Sequence, residues 1–241
     1  MVCVTHASNV TGAVQPVAAI GQELRRRGIR YLIDGAQALG ALPVDVGKLG
    51  CDLYAFPGHK GLLGPQGTGG LWIGSDAELS AVRQGGTGTD SDKMLQPEGL
   101  PEKYEAGTLN YHGIAGLEAG TKYVRANLSQ IMMGERELSG AIYEGLSDVP
   151  GVTLYSPREE AGRSGIVCFN VGDLSSSEAA DELARRGIAV RGGLHCAPGA
   201  HRVLGTLQRG AVRASVGHAT TPEDAEALVA AVWEMARSGI N

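Results

Sequence analysis

Ile29-Arg30-Tyr31-Leu32-Ile33-Asp34-Gly35-Ala36-Gln37 is a short apolar run that stops at an aspartate and a glycine turn. Its length and β-branched content read as a buried strand closed by Asp34. Working back from it, residues 16–27 carry Val17, Ile20 and Leu24 at helical spacing, and Gly28 ends the helix. Residues 1–5 read as another buried strand. Working forward, residues 52–56 form a strand closed by Pro57-Gly58, and residues 70–73 form a fourth. Strands alternating with helices predict a mostly parallel sheet of an α/β fold, covered on both faces. Ligands bind beyond the carboxyl ends of such strands. Asn9, Asp34 and Lys60 each fall just past a strand end.

Further on, residues 85–101 are rich in Gly, Thr, Asp, Ser and Pro and read as an exposed loop. Residues 113–146 are helical, with a break expected near Leu128-Ser129. A second unit follows, with strands at residues 152–155 and 166–171. Ser175-Ser176-Ser177-Glu178 is a capping box opening a helix to Arg186. Gly187 ends that helix, and residues 188–190 read as a strand. Thr221-Pro222-Glu223-Asp224 opens the last helix, with proline at its first position. The domain boundary is expected along residues 113–125, giving units at 1–115 and 116–241. No internal repeat or low-complexity tract is visible.

The totals agree with this layout. The 241 residues, 43% hydrophobic, suffice for one large or two modest cores. A net charge of −5 gives no electrostatic case for nucleic acid or an anionic membrane. No apolar run is long enough to span a bilayer, and the N-terminus lacks the features of a signal peptide. Cys3, Cys51, Cys168 and Cys196 form no CxxC pair, which argues against a zinc site and for reduced, cytoplasmic thiols. Cys3, Cys51 and Cys168 lie in β-like runs and read as small apolar filler.

Asp34 ends a buried strand, where an ionised, unpaired carboxylate is costly. A protonated pyridine nitrogen is one partner it could have, and Gln37 could donate to the ring oxygen. The alternative is an aspartate that caps the next helix. Lys60 lies in Pro57-Gly58-His59-Lys60-Gly61, which lacks the residues a Walker A lysine needs on either side. A lysine near other cations or apolar walls becomes nucleophilic; alone it could equally be a surface lysine. Together, Asp34 and Lys60 supply the ring-nitrogen partner and the Schiff-base amine expected of pyridoxal-phosphate enzymes.

Asn9-Val10-Thr11-Gly12, Asp34-Gly35-Ala36-Gln37, Gly58-His59-Lys60 and Glu105-Ala106-Gly107-Thr108 occur in this order. In this they resemble the class V aminotransferase fold family, and most the cysteine desulfurase and selenocysteine lyase (SufS-type) branch. The resemblance implies the type I fold of pyridoxal-phosphate transferases: part of a large domain plus a small C-terminal α+β domain. It implies that Lys60 joins the cofactor and carries the substrate proton. Asp34 would pair with the pyridine nitrogen, Gln37 with the ring hydroxyl and His59 with the phosphate. Thr108 would reach the phosphate of a partner subunit in a homodimer. Asn9 would lie near the ring and the substrate carboxylate, which Arg213 would grip with Arg191 nearby.

Cys196 lies in Arg191-Gly192-Gly193-Leu194-His195-Cys196-Ala197-Pro198. The glycines and proline imply an exposed loop, and Arg191 and His195 could lower its pKa. By the resemblance it accepts sulfur from L-cysteine as a persulfide, which leaves L-alanine, and passes it to an acceptor protein. The alternatives are another class V activity (aminotransferase, epimerase or selenocysteine lyase), an incidental thiol, or a silent binding or oligomerisation module. Pro57 and Leu194 stand where many relatives have serine and histidine. The resemblance also places an N-terminal part, with a phosphate turn and a ring-stacking histidine, ahead of Asn9. This chain alone is therefore expected to bind the cofactor poorly and to expose apolar surface on an interrupted sheet.

Overall fold

The computed structural model describes residues 1–90, 92–159 and 162–238. The first sheet holds β1 (Val2–Thr5), β2 (Tyr31–Asp34), β3 (Leu53–Pro57) and β4 (Gly69–Ile73), in that order across the sheet. β1, β2 and β3 are parallel and β4 is antiparallel to β3. Thr5 pairs with Asp34, and Asp34 with Ala55, so the three parallel strands end on one side of the sheet. Helix α1 (Val17–Arg26) packs Val17 and Leu24 against Tyr31 and Ile33, and the short α2 (Val46–Leu49) adds Leu49 to that core.

Two readings of this region need correction. β1 is an edge strand: Val2 and Val4 are half-buried, while Cys3 and Thr5 face solvent. Cys3 is thus no core filler, whereas Cys51 and Cys168 are buried. Large hydrophobics are exposed on β4 (Leu71, Trp72) and between residues 94 and 114 (Met94, Leu95, Leu100, Leu109, Tyr111, Ile114).

Helix α3 (Tyr111–Ser147) runs unbroken for 37 residues, with Asn110 accepting from the Gly113 N–H as its cap. The break expected at Leu128-Ser129 is absent. Val124 and Ile131 are buried on either side of that point, two turns apart on the same face, and their burial holds the helix together across it. The last turns of α3 join the second core.

That core surrounds an antiparallel sheet of β5 (Val152–Leu154), β6 (Ile166–Val171) and β7 (Val212–Ser215). β6 is buried along its whole length. Leu138, Ile142 and Leu146 of α3, Leu183 of α4 (Ser176–Arg185) and Val232 of α6 (Pro222–Ser238) pack on its Val167, Phe169 and Val171. The short α5 (Pro198–Val203) lies beyond the Cys196 turn. Residues 188–190 are not a strand; Arg191 makes a single bridge to Arg213. Gly192 then passes so close to Ser176 that a Cβ would lie 2.4 Å from its carbonyl oxygen, and the chain turns away.

The capping box is formed. Ser175 Oγ accepts from the Glu178 N–H at 3.2 Å, and a Glu178 carboxylate oxygen accepts from the Ser175 N–H at 2.9 Å. Ser175→Ala is expected to cost about 1 kcal/mol. Urea unfolding reads this directly, and an unchanged midpoint would show that the cap contributes nothing.

Candidate active site

The turn after β2 and the loop after β3 meet at two glycines. Gly40 has φ +91°, and a Cβ there would lie 2.3 Å from the Gly61 carbonyl carbon. Only glycine allows both the left-handed backbone and this approach. The contact seats Lys60 beside Ala36 and Gln37.

All three line a cavity of about 310 Å3, closed on the far side by Arg213 of β7, Ser164 and Gly165 before β6, and Ile131 and Glu135 of α3. Loops at the ends of parallel strands therefore face the second sheet across one cleft. Asn9 is wired to the same place, because Arg213 Nη1 donates to its main-chain carbonyl at 2.8 Å.

Asp34 Oδ1 accepts from the Ala36 N–H at 2.9 Å, which ties down a turn and not the helix start of the alternative reading; the next helix, α2, is capped by Asp45. Asp34 is half-buried and does not itself line the cavity. Arg213 Nε and Ser164 Oγ, both from residues that line it, are buried without partners. Buried donors and acceptors are normally satisfied, so these orphans mark positions for a polar ligand. The Lys60 amine, the Gln37 amide, the Ser164 hydroxyl and the unpaired Arg213 guanidinium nitrogen form a polar set that fits pyridoxal phosphate and an amino-acid carboxylate. The arginine has its pKa lowered, first by burial and then by Arg191.

Other residues singled out in the sequence lie outside this cavity. His59 and Thr108 are exposed. Arg191 is exposed and held to Arg213 by main-chain bonds of 3.1 and 2.8 Å. Cys196 is an exposed free thiol on the turn before α5. His195 does not supply the positive charge expected beside it. The ring is 2% exposed, and burial, with Arg213 adding to it, drives its pKa down to about 4. It is neutral at physiological pH.

Glu135 was not singled out in the sequence. Burial alone pushes its carboxyl up to about 7. The groups that enclose it, Gly165 and Val216, are distant in sequence, so no local signal marks it.

The fold and this cleft define an aminotransferase-like protein. The Aminotransferase class-V family model matches residues 1–228, and the chain belongs to that family. It is 38% identical over 248 residues to a probable cysteine desulfurase of Methanothermobacter thermautotrophicus, covering 99% of this chain and 61% of that one. It is 38% identical over 237 residues to a cysteine desulfurase of Klebsiella pneumoniae, covering 95% and 57%. Among solved structures, the apo cysteine desulfurase of Thermococcus onnurineus superposes with a TM-score of 0.87 at 32% identity, covering 98% of this chain and 60% of that chain. CsdA of Escherichia coli, a cysteine desulfurase, gives 0.87 at 31%, covering 98% and 58%. The chain thus spans about 60% of the length of the relatives it matches.

Proposed function

We propose that this chain carries the lysine, carboxylate-binding and sulfur-accepting parts of a pyridoxal-phosphate-dependent cysteine desulfurase. The enzyme converts L-cysteine to L-alanine and passes the sulfur to Cys196 as a persulfide. The observation that carries the reading is the meeting of Lys60, Gln37 and Arg213 in one cavity, with Asn9 joined to Arg213.

When bound, pyridoxal phosphate supplies an electron sink for the substrate's Cα–H bond. Lys60 would hold it covalently and move the α-proton at Nζ. Asp34 would pair with the ring nitrogen, Gln37 would donate to the ring hydroxyl, and His59 would meet the phosphate. Thr108 would serve the site of a second copy in a homodimer. Arg213, with Asn9 and Arg191, would hold the substrate carboxylate. Cys196 would attack the substrate sulfur and hold it for an acceptor protein. We place the protein in the cytoplasm, since its four cysteines are free. Among the described residues no helix is long and apolar enough to cross a membrane.

The test is spectroscopic. The chain incubated with pyridoxal phosphate should develop an imine absorption band that Lys60→Ala lacks. Cys196→Ala should keep the band and lose sulfur transfer from L-cysteine. A wild-type chain without the band would overturn the cofactor reading for this chain. Undiminished sulfur transfer by Cys196→Ala would overturn the persulfide step.

A further inference from the structure

Cys196 sits in a turn where two successive side-chain-bearing residues are left-handed, His195 at φ 50° and Cys196 at φ 60°. Such a backbone is strained for a residue with a side chain and persists only where its surroundings hold it. Several contacts hold this one. His195 Nε2 lies 3.0 Å from the Ala211 carbonyl, which can only accept, so that nitrogen carries the proton. The Ala197 N–H donates to the Leu194 carbonyl at 2.8 Å. The Gly193 N–H donates to Ser176 Oγ at 3.0 Å.

These three contacts come from the second sheet's own part of the chain. The fourth comes from the first: Asn9 Nδ2 donates to the His195 carbonyl at 2.6 Å, across 186 residues of sequence. The carbonyl is an acceptor, so the amide nitrogen must face it. The main-chain carbonyl of the same asparagine accepts from Arg213. One residue therefore touches both the arginine that lines the cleft and the turn that carries the thiol.

We propose that Asn9 is a positioning residue for Cys196, its side-chain amide fixing the left-handed turn while its main-chain carbonyl registers that turn against Arg213. The inference rests on the reading of Cys196 as sulfur acceptor and Arg213 as carboxylate anchor. It assigns Asn9 a task separate from contact with cofactor or substrate.

Hydrogen exchange in the segment 193–197 tests this in the full chain, without cofactor or turnover. Asn9→Asp keeps the size of the side chain but replaces the donor with a carboxylate that the His195 carbonyl repels. Exchange at the Gly193 and Ala197 amides should rise at least tenfold, with β2 unchanged. The new carboxyl can donate again once protonated. The excess over wild type at matched pH should therefore shrink as pH falls from 7 towards about 4, which a general loss of packing would not produce. If Asn9→Asp does not fold, Asn9→Ala gives the same tenfold reading. Exchange equal to wild type, or an excess that ignores pH in the folded Asn9→Asp protein, would overturn the positioning role. Neither result touches the imine band of Lys60, so a failure here is distinguishable from a failure of the desulfurase reading.

Discussion

Glu135→Gln should raise the unfolding free energy at pH 8 by about 2–3 kcal/mol and leave it nearly unchanged near pH 4. The carboxyl lies among Ile131, Gly165 and Val216 at the cleft, where burial pushes its pKa up to about 7. An unfolded glutamate titrates near pH 4.3. A folded pKa above the unfolded one means that the native state binds the proton more tightly. The associated stability is fully present below about pH 4.3 and is lost as pH rises through about 7. Each tenfold gain in proton affinity is worth about 1.4 kcal/mol, and partial contact with solvent reduces the total to about 2–3 kcal/mol. Glutamine has nearly the same shape and no charge to bury. His6, His195 and His201 are held neutral by burial and tilt the curve the other way in acid. The difference between variant and wild type cancels them. Urea unfolding of both proteins across this range decides the matter, and a difference that stays flat with pH would show that the carboxylate is not buried at a cost.

Much of the cleft was legible because a parallel sheet puts the ends of its strands on one side. Lys60 could be placed at the cleft from its strand end alone, whereas Asp34 does not line it and Asn9 meets it only through its bond from Arg213. Helix α4 was legible because the Ser175–Glu178 box is local chemistry, completed within one turn. What failed was longer-ranged. Cys3 looked like core because its run is apolar, yet burial depends on whether a strand lies at an edge, which no local pattern records. Ser129 resembles a helix start, but the shared face of Val124 and Ile131 outweighed that preference. His195 resembled a cation beside a thiol until the fold enclosed its ring. Asn9 could be tied to a cofactor by motif, but its bond to the His195 carbonyl exists only once two sheets meet.

Gly35→Ala is the substitution in the Asp34–Gln37 turn from which the largest loss is expected. A Cβ at Gly35 would lie 2.1 Å from Cε1, 2.3 Å from Cζ and 2.4 Å from the hydroxyl oxygen of Tyr54. That ring is 1% exposed, and its hydroxyl lies 3.2 Å from His6 Nδ1. It cannot swing away without breaking this contact and opening the core around Ile33 and Leu49. Overpacking of this kind costs about 1–3 kcal/mol, sometimes more, and contacts this short put the expectation at about 3 kcal/mol. The damage should reach the cleft as well, because Asp34 and Gln37 flank the glycine and move with it. The imine band should therefore need more pyridoxal phosphate to develop than in wild type. Tyr54→Ala alone should cost about 3–5 kcal/mol through the cavity it leaves. The added methyl then has room, so the double variant should lose at least about 1 kcal/mol less than the sum of the two single losses. Strict additivity in that cycle would mean that glycine is needed at position 35 for some reason other than the tyrosine stacked against it.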